Sequence, residues 1–327
     1  MSPLLQGFFT IIIGVFGCVG YFYAANLVLD KVIFPPRGKN AGRNINRATA
    51  IRPWLFLLPA ILALSLYLVY PVIGSLWRSL HNRSGVEFIG LDNYLFLFGD
   101  GEFRQALLNN ALWALVVPAG ATFMGLMAAQ LTDRLVWGNL AKSLIFMPMA
   151  ISFVGASLIW KFVYAGDPDV GIINAVRVVI GLDPMDPIQV PFWNNFFLMA
   201  ILIWIQTGFA MVILSAALRG IPEGTIEAAI LDGANPAQLF FKIKVPQIMG
   251  TIVVVWTTIT ITVLKVFDIV FAMTNGQWET QVLANYMYDK LFRANDWGVG
   301  SASAMIIMLL VTPILVWNIH NARKEMR

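Results

Sequence analysis

The chain has one cysteine, Cys18, and two histidines, His81 and His320, in 327 residues. A single thiol inside an apolar run offers neither an intrachain disulfide nor a cysteine-ligated metal site. So few histidines also argue against zinc and redox chemistry. Charge is scarce as well, at 12% of residues against about a quarter in ordinary soluble domains. The formal net charge of +4 is too small and too scattered to suggest nucleic-acid binding. No G-x-x-x-x-G-K-[ST] phosphate loop occurs, so the chain is not expected to hydrolyse ATP. With no nucleophile, base and acid trio, the reading is of a non-enzyme that needs no cofactor, metal or catalytic residue.

What fills the space is Leu, Ile, Val, Phe, Trp and Met: 58% of the chain is hydrophobic and mean hydropathy is +0.73. Runs free of Asp, Glu, Lys and Arg cover residues 1–29, 53–77, 105–132, 143–160, 187–218, 245–264 and 297–322. A helix needs about 20 mostly apolar residues to cross the hydrocarbon core, so seven spanning helices are expected. The 143–160 run is the shortest, with Lys161 placed to snorkel outward. Barrel strands would alternate over about ten residues, which these runs do not. The fold class is therefore an all-α polytopic membrane protein. The first run has no basic residue ahead of it and is too long for a cleavable signal. Its first cation, Lys31, follows the helix, which favours an N-terminus outside.

Assigning the connections alternately to two sides tests the orientation. Residues 30–52, 133–142, 219–244 and 323–327 hold 14 Lys and Arg against 6 acids. Residues 78–104, 161–186 and 279–296 hold 7 against 11. The basic set, led by Lys31, Arg37, Lys39, Arg43, Arg47 and Arg52, is read as cytoplasmic, together with the C-terminus.

Inside that basic set lies RGIPEGTIEAAILDGANPAQLFFKIKVP, residues 219–246. Pro222 suits the first position of a helix, and Glu223 and Glu227 complement its positive end. Gly233 stands where a left-handed C-terminal cap is wanted. Asn235 and Pro236 read as the N-cap and first residue of a second helix, with Leu239, Phe240 and Ile243 as its apolar face. Pro246 is expected to end it. Two short helices around a tight glycine turn make a stiff knob for a cytoplasmic partner, or else a connector lying on the membrane surface.

Glu227-Ala228-Ala229, three residues, Gly233, nine residues, then Ile243-Lys244-Val245-Pro246 resembles the EAA signature of ATP-binding-cassette importer permeases, with Val245 in place of the usual Leu. The resemblance implies that this loop is the coupling helix seated in a groove of the cytoplasmic ATPase. Glu227 would make polar contacts there, Ala228 and Ala229 would allow close approach, and Gly233 would make the turn, with Ile243 and Pro246 completing the motif. FIGLDNYLFLF (88–98) and LKVFDIVFAMTNG (264–276) are similar to phrases of the sugar-uptake branch. The latter continues Asn275-Gly276-Gln277-Trp278 where Gly-Gly-Pro is usual, a variant that resembles α-glucoside uptake permeases. The likeness spans about residues 53–327, a six-helix type I importer core with its transmembrane domain at about 105–320. Residues 1–52 look like an added helix and linker of the larger maltose-type subunit. Expected partners are ATPase subunits, a second paralogous permease, an extracytoplasmic solute-binding protein, the sugar and the surrounding lipid of the inner membrane.

Charge within a span is costly and points to function. Lys265 and Asp268, at i and i+3, are placed either to pair on one helix face and fix packing or to line a polar path. Thr251, Thr258 and Thr262 lead to Lys265 along that face, although membrane threonines often bond back to their own helix. Trp204, Gln206 and Thr207 in the fifth run and Trp256 in the sixth supply the aromatic and hydrogen-bonding types that hold sugars; tryptophan is also a common interface anchor. Two rival readings call for other patterns. An ion-gradient-driven secondary transporter would carry more intramembrane acids and an inverted repeat. A membrane enzyme would need clustered His, Asp or Glu at one depth.

Overall fold

The computed structural model describes residues 3–36, 41–133 and 135–325; of the cations used for orientation, Arg37, Lys39, Arg134 and Arg327 lie outside these. The chain divides into two compact units, residues 1–74 and 75–327. In the first, α1 (Pro3–Val28) and α2 (Ala41–Leu64) are joined in part by the π-turn Leu29–Ile33. Asp30 accepts two hydrogen bonds from Arg52, at 2.7 and 2.8 Å, and the Tyr21 hydroxyl donates to the Leu55 carbonyl at 2.7 Å. No residue in the apolar window of either helix is buried within the chain, the surface expected of helices facing hydrocarbon or a partner.

A π-turn (Ser65–Val69) leads into α3 (Tyr70–Ser79). The second unit then runs through α4 (Asp92–Gly99), α5 (Gly101–Thr132), α6 (Gly138–Phe146), α7 (Phe153–Val163), α8 (Ile172–Val179) and α9 (Trp193–Arg219). It continues through α10 (Glu223–Leu231), α11 (Pro236–Gln238), α12 (Val245–Gln247), α13 (Met249–Leu264), α14 (Asp268–Met273), α15 (Leu283–Tyr288) and α16 (Trp297–Glu325). Among the described residues the only β pairing is a bridge between His81 and Phe88.

The core is the α5–α9 pair. Asp100 caps α5 by accepting from the Glu102 amide at 3.0 Å. Ala106, Asn110, Trp113, Val117, Ala121, Gly125 and Ala129 are all buried and recur at three and four residues, one face of a 3.6-residue helix. Small residues there let the backbones approach. A Cβ on Gly125 would stand 2.5 Å from the Ala210 Cβ and 2.8 Å from the Met211 nitrogen. On Gly208 it would meet the Ile145 carbonyl oxygen at 2.8 Å, so α6 is packed as closely.

Among the described residues, five helical segments are long and apolar enough to span a bilayer, and two bent pairs raise the figure to seven if each is one span. The two bent pairs fall on the fourth and sixth runs. Gly138–Ala150 and Phe153–Val163 meet at 105°, and Pro236–Gln247 and Met249–Leu264 at 71°. Pro148 lies in the 3-10 turn before the first bend, whereas Pro59 and Pro118 sit within helices that continue past them. Proline alone therefore does not decide where these spans break. Pro246 corrects the sequence reading in the same way: it lies inside α12, and the bend falls at Ile248. Upstream, Leu239–Lys244 is wound as a π-turn and the Val245 amide reaches back to the Phe240 carbonyl. That wider winding makes room for a ring that clashes with a regular helical turn.

Candidate functional site

Two regions concentrate the residues singled out in the sequence. The first is the elbow 219–248. Pro222 caps α10 rather than entering it. Gly233 has φ of +82°, its amide donates to the Ile230 carbonyl, and the Ala234 amide donates to the Ala229 carbonyl, both at 3.0 Å. Those two bonds close α10 in a left-handed cap that glycine adopts without strain. Asn235 then opens the second helix: its side chain accepts from the Gln238 amide at 2.8 Å, and Gln238 accepts from the Asn235 amide at 3.0 Å. This reciprocal box adds a lock that the sequence reading saw only as a single cap.

Leu239 and Phe240 anchor the elbow in the core, with Ile243 half-buried. Glu227, Ala228, Gly233 and Pro246 are exposed, as are Ile230 and Leu231, the latter at 87%. Ala229 is the exception. It is only 9% exposed and lets α10 pack inward, so it is not on the open face with Ala228. The outer surface thus joins an acid to bare aliphatic side chains.

The second region is a cavity of about 490 Å³ that gathers Gln206 of α9, Thr262 of α13, Asp268 of α14 and Ser152 at the bend before α7. Gln206 is 8% exposed. Ser152 accepts from the Gly155 amide at 3.1 Å and so caps α7. The Thr262 hydroxyl bonds back to the Thr258 carbonyl at 3.1 Å, and Thr258 to Val254 at 2.8 Å. These threonines serve their own helix first, which leaves Gln206 and Asp268 as the polar groups of the cavity with most to offer a hydroxylated ligand.

Lys265 and Asp268 do not share a helix face. The helix stops at Leu264 and restarts at Asp268, and no ion pair joins the two among the described residues. Lys265 opens instead onto a separate cavity of about 380 Å³ with Phe267, Tyr288 and Met287. The break in winding between Leu264 and Asp268 separates two side chains that an unbroken helix would place on one face. Trp204 and Thr207 line a third, apolar cavity of about 690 Å³ beside Trp160, with the Trp204 and Trp160 rings 5.8 Å apart. Trp204 and Gln206 are two residues apart on one helix and point to different sides. Trp256 is partly exposed and lines none of these cavities.

Sequence reasoning missed two polar clusters at the ends of α5. At its C-terminal end, Asp133 accepts from Lys142, Ser215 (3.3 Å) and Arg219 (3.0 Å). Burial alone would raise the Asp133 pKa, but donation from Lys142 and Arg219 outweighs it and holds the carboxyl below the usual range. At the other end, Asn109 donates to the carbonyls of Glu279 and Gln281, each at 2.8 Å, and Asn194 to that of Trp278 at 2.6 Å. They hold a segment with positive φ at Asn275, Gly276, Trp278 and Glu279. Paired amides inside uncharged runs, Asn109-Asn110 and Asn194-Asn195, were the signal available for this strap.

Residues 121–324 match the family of binding-protein-dependent transport system inner membrane components. The chain belongs to that family. The permease is 63% identical to the alpha-glucoside transport system permease protein AglF of Rhizobium meliloti (strain 1021), over 99% of each chain. It is 45% identical to the osmoprotective compounds uptake permease protein GgtC of Synechocystis, covering 83% of this chain and 99% of that one. A bacterial alginate ABC transporter chain shares its fold at 21% identity, with a TM-score of 0.74 over 88% of the permease and 99% of that chain. The relatives are transport permeases of the multi-pass inner-membrane class, not enzymes, and the ion-gradient rival falls with the family assignment.

Proposed function

We propose that this permease carries an α-glucoside inward across the membrane, and that ATPase subunits drive it by docking on residues 222–246. The observation that carries the reading is the elbow. Its turn is fixed by Gly233, its second helix is locked by the Asn235–Gln238 box, and its outer face leaves Glu227, Ala228 and Leu231 open. A stiff lever with an acidic and aliphatic tip suits the transmission of a partner's displacement. The orientation read from charge puts this face in the cytoplasm and the N-terminus outside. A second permease completes the bundle, and a solute-binding protein delivers the sugar from the other side. Residues 1–52 form an added element on a core that begins near residue 53.

The α-glucoside assignment rests on the 63% likeness to a permease named for that substrate. Within the chain, the cavity of Gln206 and Asp268 is the candidate sugar contact. Thr258, Trp204 and Trp256 stand outside it, and Lys265 contributes from its own cavity on the far side of the helix break. The test is uptake of labelled α-glucosides in cells lacking only this chain, complemented with wild type, Gln206→Leu or Asp268→Asn. Loss of a hydrogen bond to a hydroxyl should raise the half-saturating concentration by about 10-fold while ATPase subunits still co-elute. Unchanged uptake by both variants removes the cavity from the path, and failure of wild type to restore α-glucoside uptake removes the substrate class.

A further inference from the structure

Both ends of the elbow are tied to the same turn of one helix. Arg219, the last residue of α9 and the point where the elbow departs, donates to Asp133 Oδ1 through Nη2 at 3.0 Å and Nε at 3.3 Å. Lys244, at the end of the π-turn where the elbow returns, donates to Gln130 Oε1 at 3.3 Å. Gln130 and Asp133 are three residues apart at the C-terminal end of α5 and so share a face. Lys142 of α6 and Ser215 of α9 close on the same Asp133 oxygen, and Lys142 also donates to Ser215 at 2.7 Å. One carboxylate therefore joins three helices where the elbow leaves the bundle.

Beyond this grip α5 is built to move as one body with α9. Gly125 allows van der Waals contact with Ala210 and Met211, and Pro118 leaves α5 unbroken over its 32 residues, about 48 Å at 1.5 Å per residue. At its far end Asn109 holds the carbonyls of Glu279 and Gln281. A close-packed rod gripping the elbow at one end and the strap at the other has no soft element in which displacement could dissipate.

We propose that Asp133 and Gln130 are coupling residues, which clamp both roots of the elbow to α5 so that motion at the ATPase face becomes motion of the transport path. This rests on the docking role of the elbow. Neither residue touches the sugar cavity described above, so both act by positioning. If the clamp opens, the elbow still docks and ATP is still hydrolysed, but the helices no longer follow.

The experiment uses the complete transporter, reconstituted with its partner permease, ATPases and solute-binding protein, and reads labelled α-glucoside moved per ATP hydrolysed. Asp133→Asn keeps the shape and removes the charge; Arg219→Gln changes a largely exposed partner of the same oxygen and guards against misfolding of the first variant. Both should lower the ratio about three- to tenfold, with ATPase subunits retained, and Asp133→Glu should recover part of it. Gln130→Leu should act in the same direction. An unchanged ratio in Arg219→Gln and Asp133→Asn overturns the clamp. A proportional loss of hydrolysis and transport, with the ratio kept, also overturns it. Should wild type retain no ATPase subunit, the docking role itself fails and the clamp with it.

Discussion

Replacing Gly233 tests the elbow with least ambiguity, because the cost can be worked from the backbone alone. Gly233 holds φ at +82°, and a Cβ added there meets no heavy atom within 4 Å. Nothing clashes, so the whole penalty is conformational. A left-handed residue with a Cβ costs about 1–2 kcal/mol relative to its relaxed state. That corresponds to about a 5- to 30-fold loss in the population of the closed turn for Gly233→Ala. Asparagine tolerates the region better and should fall nearer wild type, and Gly233→Val, β-branched, should be the worst. The bonds at stake are those from the Gly233 and Ala234 amides to Ile230 and Ala229. The assay is co-elution of ATPase subunits with a tagged permease, read beside α-glucoside uptake in the same cells. The expected order is Gly, Asn, Ala, Val in both readouts. The detergent melting temperature of the isolated permease should hardly change, since the turn lies outside the α5–α9 core. Wild-type co-elution and uptake by Gly233→Val would refute the claim that this turn has to be stiff.

Other perturbations separate the core, the strap and the charge cluster. Gly125→Ala places a methyl 2.5 Å from the Ala210 Cβ and 2.8 Å from the Met211 backbone; it should destabilise the bundle by about 1–3 kcal/mol, seen as a lower melting temperature. Asn109→Ala removes donors to Glu279 and Gln281; it should cost about 1–3 kcal/mol and speed amide exchange across 274–282 while leaving the elbow protected. Asp133 titrates below its ordinary 3.8 in the folded chain. Its stabilisation is therefore present above that value and lost as pH falls through the lower folded pKa. Melting curves of wild type and Asp133→Asn should differ near neutral pH and converge in strong acid.

Much of the architecture was legible because lipid imposes a simple requirement. Every spanning segment must satisfy its own backbone and present apolar side chains, so uncharged runs mark helices directly. The runs 105–132 and 187–218 correspond to α5 and α9 within a few residues. The elbow was legible for a different reason: Pro222, Gly233, Asn235 and Pro236 each restrict the backbone at a cap. Breaks inside apolar runs were not. The 105° bend after Ala150 and the stop at Leu264 depend on close packing between helices, which periodicity does not record. That is why Lys265 and Asp268, apparent neighbours on a continuous helix, open onto different cavities. Burial also redistributed the EAA residues, turning Ala229 inward and leaving Ala228 outside. The Asp133 cluster escaped because its members lie up to 86 positions apart and each alone reads as a solvated loop charge.

The most direct test of the account asks which side of the membrane the elbow faces and what covers it there. Leu231 is almost fully exposed at its tip, and Cys18 is the only native thiol, so Leu231→Cys in a Cys18→Ser chain reports from one position. A membrane-impermeant maleimide should leave it unlabelled in intact spheroplasts. The same reagent should label it in inverted vesicles from cells without the ATPase subunits, and restoring those subunits should protect it. Labelling from the outside, or equal labelling of inverted vesicles with and without ATPases, would contradict the proposal that ATP-driven motion enters the bundle here.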